Sequence, residues 1–232
     1  RDFCLSRGLG DVYKRQTWHL VHFHYVKFNK ESMYEVSKKI ILLCIPLLLS
    51  AQFIAGILNE ALDLTDTNQE LFISMSHNIF GVLSIAIVVP ILEEVLFRGA
   101  IEGHLLRKGW SPKWAILVSA LIFGIIHGNP AQIPFAFLIG LLFGWLYYRT
   151  GSLVPGIVGH IINNSFGAWT MFTATREELS QTTMETLGTT ITYILLVLAI
   201  IVFIGMYLYL NKYLPKPTNI QVKAINEQDI TI

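Results

Sequence analysis

Glu93-Glu94-Val95-Leu96-Phe97-Arg98 places two carboxylates and a guanidinium inside a stretch of chain that otherwise reads as membrane-spanning. Leu83 to Leu92 carries no charged side chain, and a helix-like pattern runs on through Phe97 to Leu106. An ionisable group at bilayer depth costs at least about 2.5 kcal/mol, so its presence points to function. The rest of the sequence reads as a supply of partners for this cluster.

Composition agrees with a membrane setting. Of 232 residues, 53% are hydrophobic and 14% charged, too apolar for an ordinary soluble domain. The formal charge of +1 offers no basic footprint for nucleic acid. Cys4 and Cys44 lack a CxxC neighbour, so neither a disulfide framework nor a thiolate metal site is expected. The expected fold class is all-α: a polytopic transmembrane helical bundle in the cell membrane, with the bilayer as its surroundings.

The first residues stand apart. Asp11-Val-Tyr-Lys-Arg-Gln16 back-translates to the end sequence of a sequencing-library adaptor, so residues 1–16 read as an assembly artefact outside the fold. The chain is therefore expected to lack native N-terminal helices. His19, His22 and His24 sit among Trp18, Phe23 and Tyr25; an interfacial helix remnant explains them better than a metal site. Residues 17–39 read as a basic linker or helix remnant, 40–210 as the transmembrane domain and 211–232 as a polar tail.

About six spans are expected. Ile40–Leu58 is long enough for a bilayer, with Pro46 as a kink point. The second begins at His77, carries the opening motif and ends at Arg107. Lys113–His127 is the third; at helical rise it covers only about 22 Å before Gly128-Asn129-Pro130 breaks it. Such a break within the membrane is tolerated only against protein or a wet cavity. Ile133–Tyr148 follows with Gly140 and Gly144 at close-packing spacing. Leu153–Phe172 carries His160, Asn163 and Asn164, Thr173–Thr186 reads as a polar loop, and Leu187–Leu210 is the last span. Alternate crossings put nearly every Lys and Arg on one side and only Arg176 on the other, which makes the tail cytoplasmic.

Depth then brings the polar groups together. The second and third helices form a hairpin in which Glu93 and His127 both rise roughly 20 Å from the turn. His160 and Asn164 rise about 12 and 18 Å along the fifth helix, on one face because they are four apart. Glu94 and Arg98 have the favourable acid-first spacing of a helix ion pair. Glu93 lacks that partner and is the candidate general base. Pro90 removes a backbone bond one turn earlier, which could open the helix to water.

Three motifs in order thus emerge: Glu93-Glu94-x-x-x-Arg98, Phe123-x-x-x-His127 and His160-x-x-x-Asn164, the last preceded by Thr150-Gly-Ser-Leu153. This constellation resembles the CPBP intramembrane endopeptidases, which include CAAX prenyl proteases and bacteriocin-processing enzymes and are also called the Abi family. The resemblance implies hydrolysis of a peptide bond in a membrane-associated protein or peptide, reached from the cytoplasmic side. It assigns water activation to Glu93 and His127, oxyanion stabilisation to His160 and Asn164, and a supporting pair to Glu94 and Arg98. Two histidines and a carboxylate are also a donor set for zinc; the family has been described both as metal-dependent and as a glutamate protease. No His-Glu-x-x-His is present.

Blander readings compete at each site. Glu93-Glu94 alone would be an interfacial charge pair, and His127, His160 and Asn164 alone would be helix-end or helix-packing polar groups. His77 and His104 match no motif. Buried Glu, Arg and His also suit a proton-coupled transporter, although no inverted repeat is visible. A non-catalytic membrane scaffold or immunity protein would use the same cluster for packing only.

Overall fold

A computed structural model describes residues 36–214. The expectations for the adaptor-like leader, for His19, His22 and His24, and for the tail beyond residue 214 lie outside the described residues. The described residues form helices and no strand. Taken in order these are α1 Lys38–Glu60, α2 Gln69–Ser76, α3 Ile79–Arg107, α4 Pro112–Ile126, α5 Ile133–Thr150, α6 Val154–Thr173, α7 Arg176–Ser180, α8 Thr183–Leu187 and α9 Thr189–Tyr213.

Four of these, α1, α3, α5 and α9, are long and apolar enough to cross a membrane, which corrects the expected six. The other two long helices fall short for different reasons. α4 has 15 residues, about 22 Å of rise against a hydrocarbon core of about 30 Å. α6 has the length, 20 residues, but carries His160, Asn163, Asn164 and Ser165 along its middle. The polar loop expected at Thr173–Thr186 is also corrected. It holds α7 and α8, each opened by a reciprocal capping box, Thr175 with Glu178 and Thr182 with Glu185.

Packing pairs the helices. α4 lies along α5 and α1 along α9, while α6 rests on the first half of α3 and on α1. The largest core joins Cys44, Leu47 and Leu48 of α1 to Ile139, Phe143 and Leu146 of α5 and Leu210 of α9. Only 6% of the apolar stretch of α9 is buried, so Ile194, Val197, Ile201 and Ile204 face outward, as a lipid-facing helix requires.

Each end of the bundle is tied differently. At the basic end, Arg149 donates to the Asn211 carbonyl at 2.8 Å and the Leu214 carbonyl at 2.9 Å, fastening α5 to α9. At the acidic end the break after α4 is strapped to the loop before α2. Asn129, fully buried, donates from Nδ2 to Asp66 at 2.7 Å and accepts at Oδ1 from the Thr67 amide at 3.1 Å. Asn59 donates to the Ala131 carbonyl at 2.8 Å. Glu70 pairs with Arg176, and Glu60 accepts from Thr183 at 2.6 Å.

Candidate active site

The opening motif sits in an unusual stretch of backbone. α3 is π-helical over Ser84–Val88 and again over Val95–Glu102, with Val89–Glu94 α-helical between them. π-Turns inside α-helices are rare and concentrate at functional sites. The second stretch is pinned to α4 by Ser119, whose hydroxyl donates to the Phe97 carbonyl at 2.8 Å.

Glu93, Glu94, Arg98 and Glu102 are all buried, the last three completely. Arg98 Nη1 meets Glu94 Oε1 at 2.9 Å. Its Nη2 donates to the Gly140 carbonyl at 3.1 Å, and its guanidinium lies 4.4 Å from the Phe123 ring centre and 5.3 Å from that of Phe143. The cation is thus matched by a carboxylate, a carbonyl and two aromatic faces, the compensation a buried charge needs.

Three glycines make the room. A Cβ at Gly156 would stand 2.6 Å from Glu94 Oε2, one at Gly140 3.2 Å from Arg98 Nη2, and one at Gly144 2.6 Å from Glu102 Oε2. The glycine pair on α5, which reads in sequence as a plain helix-packing motif, seats two ionisable side chains of α3, Arg98 and Glu102. Glu102 was not among the expected site residues. Its signal was visible: it follows Arg98 by the same four residues that separate Glu94 from Arg98.

His160, buried on α6, joins the two opening carboxylates. Its Nδ1 pairs with Glu94 Oε1 at 3.2 Å and its Nε2 stands 3.5 Å from Glu93 Oε2. α6 reaches this position through the Thr150-Gly-Ser turn. Gly151 takes the left-handed conformation (φ 66°), Thr150 Oγ1 donates to the Leu146 carbonyl at 2.7 Å, and Ser152 Oγ accepts from the Val154 amide at 3.2 Å.

His127 and Asn164 come to the same region without touching that core. His127, half-buried just past the end of α4, pairs through Nδ1 with the Phe123 carbonyl at 2.7 Å. Phe123 stands between the two imidazoles, edge-on to both, with ring centres 4.9 Å from His127 and 5.7 Å from His160. Asn164 donates from Nδ2 to the Ile85 carbonyl at 2.9 Å, and Asn163 donates to its Oδ1 at 3.1 Å. His77 instead pairs with the Ile73 carbonyl at 2.9 Å, away from the cluster.

Zinc needs several donors converging on one point. Here His160 turns one ring nitrogen to each carboxylate and His127 turns Nδ1 to a carbonyl. Among the described residues no group of three or more His, Cys, Asp or Glu side chains stands in a metal-holding arrangement. As arranged, these donors are turned to separate partners and do not converge on one point.

Comparison with known proteins agrees with the CAAX-protease part of the resemblance carried by the three motifs. Residues 75–166, which contain all three motifs, match the model of type II CAAX prenyl endopeptidase Rce1-like proteins. The chain is 38% identical over 81 residues to YdiL of Bacillus subtilis, a candidate membrane peptidase by its name, covering 35% of this chain and 33% of that protein. It is 33% identical over 106 residues to the membrane-embedded CAAX protease MroQ of Staphylococcus aureus, covering 44% and 42%. With the UPF0177 protein YxdF of Lactococcus lactis it shares 28% over 122 residues, covering 52% and 63%. The chain thus spans less than two thirds of the length of each of these curated relatives. No solved structure matches it.

Proposed function

We propose that this membrane protein, whose residues 75–166 match the model of type II CAAX prenyl endopeptidase Rce1-like proteins, is an intramembrane endopeptidase. Its substrate is a membrane-associated protein or peptide. The observation that carries the reading is the buried chain Glu93–His160–Glu94–Arg98, in which His160 of α6 joins carboxylates at the middle of α3, a helix long and apolar enough to span the bilayer.

Glu93 is the carboxylate free of the guanidinium, and it takes the proton of the attacking water as the water oxygen bonds to the scissile carbonyl carbon. His160 touches both carboxylates, so a proton exchanged between them passes through its ring. Its Nε2 and the Asn164 amide, with the N–H that the Ile85 carbonyl does not take, are the donors assigned to the developing oxyanion. Collapse of the tetrahedral intermediate breaks the C–N bond, and the proton held by Glu93 leaves with the amine. Glu94 and Arg98 hold the His160 ring in place. His127, edge-on to Phe123 with ring centres 4.9 Å apart, is assigned with Glu93 to activation of the water.

The proposed orientation turns the end of the bundle that carries Lys38, Lys39, Arg107, Lys108, Lys113, Arg149 and Lys212, against Arg176 at the other end, to the cytoplasm. That orientation makes the C-terminal tail cytoplasmic.

The test compares the membrane peptidome of cells carrying the native chain with that of cells carrying Glu93→Gln. Specific fragments that vanish in the variant, at unchanged protein abundance, are expected. Identical peptidomes would remove the protease reading; loss of ion-linked uptake in their place would make the chain a transporter, and loss of abundance alone a scaffold. Metal analysis of the purified protein is run alongside, and stoichiometric zinc lost on Glu93→Gln would replace the metal-free arrangement.

A further inference from the structure

We propose that Pro90 is a positioning residue: it leaves the Ile85 carbonyl without a backbone donor and so reserves that oxygen for the side-chain amide of Asn164. The local geometry is specific. Over Ser84–Val88 the backbone bonds five residues apart, and the Val89 amide donates to the Ser84 carbonyl. One residue on, the same register pairs the Ile85 carbonyl with position 90, where proline has no N–H. A carbonyl that loses its backbone donor inside the membrane needs another partner.

That partner is on a different helix. Asn164 of α6 donates from Nδ2 to the Ile85 carbonyl at 2.9 Å. Asn163 donates to Asn164 Oδ1 at 3.1 Å, which turns the NH2 of Asn164, and not its oxygen, towards α3. His160 lies one turn earlier on the same face of α6 and meets Glu93 and Glu94, which lie three and four residues after Pro90. The proline therefore acts across the helix interface: the donor it removes from α3 is supplied by α6, and that bond fixes α6 in rotation and height beside the carboxylates.

The cycle of Pro90→Ala, Asn164→Leu and the double variant tests this on the full chain purified in dodecyl maltoside micelles. With Pro90 in place, Asn164→Leu orphans a buried carbonyl and should shift the unfolding equilibrium about tenfold or more towards the unfolded state. In the Pro90→Ala background the restored backbone N–H takes the Ile85 carbonyl, and the same substitution should shift it less than about threefold. If Asn164→Leu alone does not fold, recovery of folded, monodisperse protein in the double variant is the same result. Equal costs in both backgrounds would overturn the assignment.

A spectroscopic signature separates positioning from a general effect on stability. The 15N-labelled side-chain NH2 resonance of Asn164, assigned by its loss in Asn164→Leu, should move in Pro90→Ala; an unmoved resonance overturns the proposal. The catalytic consequence rests on the endopeptidase reading. On a substrate identified from the peptidome, Pro90→Ala should lower kcat several-fold with KM within twofold, in a protein at least as stable as the native one. Native kcat would end the positioning role. The stability and resonance measurements decide the Pro90–Asn164 relationship even where no cleavage is found.

Discussion

Gly156 and Glu94 are in such close approach that a Cβ on Gly156 would lie 2.6 Å from Glu94 Oε2. Glu94 is held from the other side by Arg98 at 2.9 Å and His160 at 3.2 Å, so it has no neutral direction in which to retreat. Gly156→Ala should therefore destabilise the protein by about 1–3 kcal/mol, the range for overpacking a filled interior, and loosen the His160 ring. Gly167→Ala, on the same helix with nothing within 4 Å of its built Cβ, should be neutral or slightly stabilising. Thermal unfolding of the two purified variants in micelles reads the difference, and equal midpoints would contradict the close seat for Glu94.

Arg98 joins Glu94, the Gly140 carbonyl and two aromatic faces with one planar group. Lysine keeps the charge but neither the fork nor the stacking. Arg98→Lys should lower folded yield and unfolding midpoint markedly. Arg98→Ala should cost more, about 3–5 kcal/mol, because it leaves Glu94 buried without its cation. Size-exclusion profiles and unfolding curves check the order; a lysine variant as stable as the native chain would show that charge alone suffices.

Asn129 offers an exchange of partners. Asn129→Asp sets a carboxylate against Asp66, where Nδ2 donates at 2.7 Å in the native chain. The expected cost is at least the roughly 1–3 kcal/mol of a lost buried bond. Adding Asp66→Asn gives the new carboxylate a donor again and should recover most of the loss. Absence of recovery would mean that the strap beyond α4 does not depend on this pair.

The tie between α2 and α7 depends on pH. The Arg176 guanidinium hydrogen-bonded to Glu70 holds its carboxyl below the ordinary carboxylate value of 4.5. A carboxylate with a depressed folded pKa contributes stability above its unfolded pKa, and the contribution disappears as pH falls through the folded value. Both groups are exposed, so the effect is small and screened by salt. Hydrogen exchange over residues 176–188 should be unchanged between pH 7 and 5 after correction for intrinsic rates, then accelerate below pH 4. Glu70→Gln should reduce the acceleration to the part carried by Glu178 and Glu185, whose carboxyls the Thr175 and Thr182 amides also hold low; an unchanged acceleration would assign all of it to those caps.

Much of the architecture was legible from hydropathy and punctuation. The apolar stretches locate α1, α3, α5 and α9 within a few residues, and Gly128-Asn129-Pro130 marks the end of α4, because bilayer thickness and the missing donor of proline act on local sequence. The expectation of six membrane crossings failed where length and polarity had to be weighed together: α4 is too short, and α6 is interrupted by its own site residues. α7 and α8 were missed although Thr175-x-x-Glu178 and Thr182-x-x-Glu185 both spell a capping box.

The identities and order of the polar groups belong to the chain itself: Glu93, Glu94, Arg98, His127, His160 and Asn164 stand in a sequence that places them on or at the end of apolar helices before any contact is known. Which atoms meet was settled by tertiary structure alone. The two π-helical stretches change the rotation of α3 around Glu93 and Glu94, and Gly140, Gly144 and Gly156, on two other helices, decide how closely the charged side chains approach. Helix rotation and interhelical distance are collective properties of packed surfaces, fixed by what several segments bury against one another and not by any one segment's residue order.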